Sequence, residues 1–340
     1  MTTRTHPFIP FHLPSIGDEE VREVEATLRS GWLTTGPRTA QFENEFSAYV
    51  RSPHAIAVNS CTAGLHVALA ALGIGKGDEV ITTPLTFCAT VHTILHVGAR
   101  PVLADIGADA SDAVAFSFYA TKNMTTGEGG MITTPRESLA ARMRMLSLHG
   151  MNRDAWNRYS ERGSWYYEVV DAGFKYNLTD IQSAIGIHQL RKLDSFIETR
   201  TRYAQIYNQA LAGMEEVELP PNGPRFRHSW HLYVLRLNLT LLKIDRQGFI
   251  EELRRKGIGA SVHFVPLPLH PFFARLPLAA RPCRRALSLY PRIVSLPLYP
   301  AMTEDQVHYV ADCVKEVIMS NRTRAQARMT KKTDESESAR

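Results

Sequence analysis

Between residues 55 and 104 short apolar runs alternate with stretches of helical periodicity, and this alternation limits the fold more than any other feature of the chain. Residues 55–58, 79–82 and 101–104 read as strands, and 62–72 and 87–97 as the helices between them. Strands separated by helices predict a wound α/β layer with a mainly parallel sheet. Helical spacing at 18–29 and 39–50 adds two helices ahead of the first strand. Strands at 113–118 and 130–133, a helix at 137–148 and a long helical region from 178 to about 211 follow. Strands near 230–237 and 259–264, with helices near 246–256 and 304–320, predict a smaller α+β domain. The expected division is a large domain over 1–210, a small domain over 211–320 and a disordered tail at 321–340.

Composition narrows the class. A chain of 340 residues, 44% hydrophobic and 21% charged, has the makeup of a soluble globular protein with a real core. No apolar run approaches the ~20 residues that cross a bilayer, and MTTRTHPFIPFHLP lacks the apolar core of a signal peptide, so no membrane partner is expected. Cys61, Cys88, Cys283 and Cys313 are far apart and form no CxxC pair. That pattern predicts reduced thiols in a cytoplasm and no zinc site. The net charge is +5, but 321–340 holds six Lys/Arg against three Asp/Glu and so carries three of the five. The rest is only mildly basic, and its basic residues lack aromatic interleaving, so nucleic acid is not an expected partner.

The segment AFSFYATKNMTTGEGGM (115–131) sets Lys122 between an apolar strand and a glycine-rich turn. A lysine leaving a buried strand end is partly desolvated, which lowers its pKa and frees its amine as a nucleophile. A solvated loop lysine is the plain alternative. Asn59-Ser60-Cys61-Thr62-Ala63-Gly64 lies where a strand ends and a helix begins, so free amides and the positive end of the helix dipole aim at one spot. The plain alternative there is an ordinary Ser/Thr helix cap.

The lysine segment resembles, nearly letter for letter, that of the DegT/StrS family of pyridoxal-phosphate (PLP) sugar aminotransferases. The likeness extends over IPFHLPSIGDEEVREVEATLRSGWLTTGP (9–37), HAIAVNSCTAGLHVALAALGIGKGDEVITTPLTF (54–87), GFKYNLTDIQSAIGIHQLRKL (173–193) and GIGASVHFVPL (257–267). It implies the fold type I PLP-transferase architecture, a PLP cofactor and an amino group passed from glutamate, leaving 2-oxoglutarate, to a nucleotide-linked keto-sugar. The subgroup that aminates a UDP-4-keto-pentose, in polysaccharide or lipopolysaccharide biosynthesis, is the most similar. By the same resemblance Lys122 is the Schiff-base lysine, the amides of Thr62 and Ala63 with the Ser117 hydroxyl bind the cofactor phosphate, and Phe87 stacks on the pyridine. Asn177 matches an asparagine that reaches the phosphate from a neighbouring subunit, which implies a homodimer with a shared site. His149 and His263 fall near substrate in the family, but a structural role is as good a reading of each.

One departure stands out. The family carries two more strands with their helices ahead of the FSF strand, and the second ends in an EDAAHA-like motif whose Asp binds the pyridine nitrogen. Here Asp105 is joined to Ala113 by only the seven residues IGADASD. A parallel crossover takes at least about 10 to 12 residues, so roughly sixty residues and the central strands of the sheet are missing. Asp105, Asp109 and Asp112 are the nearby acids, and none matches the missing one by motif. The alternative to an active transferase is a catalytically inactive relative or deletion product with a regulatory or binding role.

Overall fold

The computed structural model describes residues 7–104, 112–152, 166–221, 228–276, 279–280 and 283–323. The chain opens with α1 (Asp18–Ser30) and α2 (Pro37–Val50), then β1 (His54–Val58), α3 (Cys61–Ala71), β2 (Glu79–Thr82), α4 (Ala89–His96) and β3 (Arg100–Leu103). Next come β4 (Val114–Ser117), β5 (Gly130–Thr134), α5 (Glu137–Ser147) and the long α6 (Asp180–Ala210). The remainder holds β6 (Val217–Glu218), β7 (Tyr233–Leu237), α7 (Arg246–Arg255), α8 (Pro271–Ala274), β8 (Ala279–Ala280), α9 (Arg284–Leu289), β9 (Ile293–Leu296) and α10 (Glu304–Ser320).

These elements form two compact units. The first spans 14–194 and 271–282; the second takes the described parts of 1–13, 195–270 and 283–340. The division falls within α6, ahead of the expected 210/211 boundary. Its reason is that the C-terminal half of α6 carries Tyr203, Ala204, Tyr207 and Ile206 into the core of the second unit, with Leu235, Val294 and Leu296. The expected tail also begins later, since Asn321 caps α10 and Arg322 bridges to Leu242, while 324–340 lie outside the described residues.

The expected mainly parallel sheet is corrected. Strand order in the first unit is β1-β5-β4, antiparallel throughout, and β2-β3-β8, parallel throughout. Grouping β1 with β2 and β3, as the alternation suggested, was therefore not realised. Every residue of β5 is buried, and a strand buried on both faces needs a ladder at each edge, which β1 and β4 supply. The expected strand at 259–264 is not formed either. Ile9 exchanges bonds with Gly257 and Gly259, and Ser261 with Ser295, so the segment finds partners only one residue deep.

Two faces of β4 explain how the first unit packs. Phe116 and Phe118 point one way, onto Phe46 at 5.1 and 5.4 Å between ring centroids, and Phe118 meets Phe42 at 5.4 Å, which ties β4 to α2. Ala115 and Ser117 point the other way by strand alternation, toward α3. Gly64 of α3 sits close over this face, where a Cβ would stand 3.6 Å from the Ala115 Cβ, in ordinary contact. Beyond α3 the layer is completed by Ile56, Val58, Val67, Ile132 and Met143, each at 1% exposure or less. Each such side chain contributes about 1.5–3 kcal/mol on burial.

The start of α2 is held from far along the chain. Its N-cap is Gly36, which has no side chain to cap with. The carboxylate of Asp180, first residue of α6, accepts instead from Gly36 N (2.7 Å), Arg38 N (3.0 Å), Thr39 N (2.9 Å) and Thr39 Oγ1 (2.7 Å). A buried carboxylate thereby satisfies the orphan amides of the first turn.

Candidate active site

The start of α3 is the centre of the site. Ser60, extended at the N-cap, accepts from Ala63 N through its hydroxyl (3.0 Å), and Gly64 N bonds to Ser60 O (3.0 Å). Among the described residues the amides of Cys61 and Thr62 keep no acceptor, and Thr62 is exposed. Two open donors at the positive end of an eleven-residue helix form an anion cradle.

Gly130 brings the lysine strand to this cradle. In the ladders it stands opposite Val58 of β1 and Ser117 of β4. A Cβ at this position would lie 2.7 Å from Cys61 N, 2.8 Å from Ser60 C and 2.9 Å from Phe116 O, all backbone atoms that cannot step aside. Only glycine lets β5 run this close under the helix end. Ser117, its partner in register, is thus set beside the cradle. Cys61 leans the same way, with Sγ 3.8 Å from Ala115 O.

Lys122 follows β4 by one turn, its amide bonded to Tyr119 O (2.8 Å). The side chain is half-buried, and burial lowers its ammonium below the usual lysine range, with Cys61 pulling weakly the other way. Burial likewise pushes the Cys61 thiol up, so it stays protonated beside the lysine. Sequence reasoning placed Cys61 in the cradle but gave it no role. Its position as the first residue of α3, between Ser60 and Thr62, was the available signal.

The sequence-derived residues therefore separate. Thr62, Ala63, Ser117 and Lys122 converge at the start of α3, although the Ala63 amide is already taken by Ser60. Phe87 sits in the turn before α4 with 58% of its surface exposed, unlike a core phenylalanine. Asn177 bridges to Val58 by its backbone, while its side-chain amide donates to Thr35 Oγ1 at 2.7 Å. It lines a different cavity of about 240 Å³ with Thr35, Glu43 and Arg144. His149 takes a left-handed backbone (φ 57°) with its amide bonded to Phe174 O, and His263 bonds Ser295 Oγ at 2.9 Å in the second unit. Asp112 pairs with Arg136 at 3.5 Å at the start of β4. Five residues of strand, about 16 Å, separate it from Ser117, so it does not serve the cradle. Asp105 and Asp109 lie outside the described residues.

The residues present fit the phosphate and carbonyl ends of PLP: an anion cradle with open amides, a hydroxyl beside it and a desolvated lysine amine. No group of three or more His, Cys, Asp or Glu among the described residues could hold a metal. No helix among them is long and apolar enough to cross a membrane.

Comparison with known proteins identifies the family. The family model for DegT/DnrJ/EryC1/StrS aminotransferases matches the chain in two stretches, residues 14–111 and 106–315. The chain is 42% identical to the uncharacterized protein MJ1066 of Methanocaldococcus jannaschii, an alignment over 381 residues that takes in 93% of this chain and 99% of that one. It is 40% identical to the spore coat polysaccharide biosynthesis protein SpsC of Bacillus subtilis, over 94% of this chain and 99% of the other. Among solved structures, a protein assigned as a sugar aminotransferase, Spr1654 of Streptococcus pneumoniae, superposes in its PMP form with a TM-score of 0.84 at 28% identity, covering 92% of this chain and 99% of its own. Its PLP form superposes with a TM-score of 0.83. The chain belongs to the DegT/DnrJ/EryC1/StrS aminotransferase family, sugar aminotransferases of the fold type I architecture whose cofactor is pyridoxal phosphate.

Proposed function

We propose that this chain transfers an amino group from glutamate to a nucleotide-linked keto-sugar, releasing 2-oxoglutarate. The observation that carries the reading is Lys122, desolvated and half-buried beside the open amides of α3. Because the fold holds its ammonium below the usual range, more of the amine is neutral near neutral pH than in a free lysine. Such an amine can bond the cofactor carbonyl with loss of water and, once the donor's own amine has displaced it, accept and return a proton at Nζ. The Cys61 and Thr62 amides and the Ser117 hydroxyl would hold the phosphate, and Phe87, more than half exposed, would lie against the flat ring. When bound, PLP supplies an aromatic ring that takes up the electron density released as the donor loses its Cα proton.

The mildly basic body of the chain suits a diphosphate-bearing substrate, and the likeness to a spore coat polysaccharide protein favours a sugar destined for a surface polymer. A UDP-4-keto-pentose is the first substrate to try. Four free cysteines accord with a cytoplasmic protein. A homodimer that shares its site through Asn177 is part of this reading, and it requires the Asn177 amide to leave Thr35 for the partner's phosphate. Retention of Lys122, Ser117 and the α3 cradle favours the transferase over an inactive relative.

The test is borohydride trapping of the protein purified with PLP, followed by peptide mass spectrometry. A phosphopyridoxyl adduct on Lys122, together with pyridoxamine phosphate formed on adding glutamate, supports the reading. An adduct on another lysine, or none, overturns it.

A further inference from the structure

Three histidines of the first unit stand together with no carboxylate among them. His66 lies in the second turn of α3, and His92 and His96 are one turn apart on α4. The His66 and His96 rings are 5.6 Å apart between centroids, and the His92 and His96 rings 6.2 Å. Apolar rings close the group at both ends, with Phe174 4.4 Å from His66 and Phe273 of α8 5.3 Å from His92. His66 is buried, and its Nδ1 shares a hydrogen bond with the Tyr176 hydroxyl at 3.1 Å. Burial, and after it the neighbouring His96, hold the His66 and His92 imidazoles below the usual histidine range. The elements packed around the group carry His54 on β1, Glu137, Arg142 and Arg144 on α5, Glu79 on β2 and Arg100 on β3. Lys76 and Asp78 lie in the turn before β2, Lys175 beside Tyr176 and Arg275 after α8, while β4, β5 and α8 carry no charge. Among the described residues none of these forms an ion pair or hydrogen bond with the three imidazoles; Arg144 holds Glu43, and Arg100 holds Glu79.

The group also reaches the start of α3. Tyr176 O accepts from Asn59 N at 2.7 Å and Asn177 bridges to Val58, so the segment that His66 grips fixes the turn ahead of Ser60. We propose that His66, His92 and His96 form a proton sensor that couples acidification to release of an anion from the start of α3. At neutral pH His66 and His92 are uncharged and pack as aromatic rings. As pH falls, charge enters a partly desolvated group whose nearest titrating neighbour takes the same sign, and no carboxylate offsets it. Moving α4 and the 174–176 segment off α3 relieves that charge, frees the Asn59 amide and loosens the cradle. The unfolded chain takes up protons near the ordinary value of 6.5, whereas the folded chain resists them to lower pH. The stabilisation is therefore full above 6.5 and is lost as pH falls from there through the lowered folded values. The sensor stands apart from amino transfer, and its link to anion release rests on the proposed reading of α3 as a phosphate site.

The test compares about pH 7.5 with about pH 5.5, following amide exchange in α3 and α4, corrected for its intrinsic pH dependence, and binding of sulfate, whose charge is constant over this range. In the parent chain acidification speeds exchange in both helices by about tenfold or more relative to α10 of the second unit, and weakens sulfate binding by a similar factor. Added positive charge alone would strengthen sulfate binding, so the weakening is diagnostic. His66→Gln/His92→Phe/His96→Gln keeps a partner for Tyr176 and a ring on Phe273 while removing the three titrating groups, and it abolishes both changes. His96→Gln alone, at an exposed position that tolerates the change, reduces both responses by about twofold or more, because it removes the like charge next to the other two. Exchange that does not respond to pH in the parent, or a response that survives in either variant at full size, overturns the sensor. Sulfate bound equally at both pH values overturns the coupling, and sulfate that fails to bind even at the higher pH overturns it together with the phosphate reading of α3.

Discussion

The sheet of the second unit and two strands of the first, β2 and β4, are built from similar sequences with opposite outcomes. IVSL in β9 is buried at every residue, and YVLRL in β7 alternates between buried and half-buried. EVIT in β2 and VAFS in β4 are equally rich in strand formers, yet neither has one buried residue. The difference is cover. β7 and β9 share one core with Tyr207, Phe249 and Leu253, and β9 is buried although it stands at the edge of its sheet, whereas no residue of β2 or β4 is covered to that degree. A strand's composition states that it can be buried, and what packs on its faces decides whether it is.

The candidate site lies at the end of β4, within the first unit, and the largest effect is expected there. Lys122→Ala removes the amine and lowers amino transfer by about a thousandfold or more, while the unfolding transition stays cooperative. Transfer persisting in this variant would break the link between the lysine and the chemistry. Next in size is Gly130→Ala. Its methyl meets three backbone atoms at under 3.0 Å, so a loss of about 3 kcal/mol or more in denaturant unfolding is expected, together with weaker binding of inorganic phosphate. A neutral outcome would show that β5 does not fix the start of α3.

Smaller effects compare covered and open strands directly. Leu235→Ala, in the covered β7, costs about 2–5 kcal/mol. Ile81→Thr, in the open β2, costs less than about 0.5 kcal/mol. Equal costs in chemical denaturation would erase the contrast. Mixing Lys122→Ala with Asn177→Ala protein restores part of the transfer activity if subunits share a site, and no recovery from exchanging dimers removes Asn177 from the cofactor's contacts.

The mildest effect is a pH dependence. Burial lowers the Lys122 pKa in the folded chain, so below that value the charged amine destabilises the fold. That cost fades as pH rises through the lowered pKa and is gone above the unfolded value of 10.5. Lys122→Met is therefore more stable than the parent near pH 7, and the gap closes by about pH 10.5 in thermal melts. A gap that widens with pH reverses the assigned direction.

Helix periods and apolar runs made most elements legible, from α1 to α10, because each signal is local. Lys122 and the Ser60 turn were legible for the same reason: the strand end and the helix start lie within a few residues of them. Pairing was not. That β1 adjoins β5 depends on Gly130 fitting beneath α3, and no window of sequence around residue 55 contains it. Asp180 escaped for a related cause, since Gly36, the N-cap of the helix it caps, lies 144 positions earlier. The uncapped Gly36–Pro37 start was a hint that a distant acceptor was required. The resemblance alone set Asn177 at the phosphate, and its side chain is held by a threonine from the loop before α2.

Gly130 has a consequence for how such a chain can vary over generations. Nearly every single-base change of a glycine codon that alters the residue adds a side chain, so the spot where strand and helix meet offers almost no tolerated neighbour in sequence space. Drift can rework the exposed loops or the outer helices step by step. It cannot separate the cofactor's grip from the architecture of the strands, because the same missing methyl serves both.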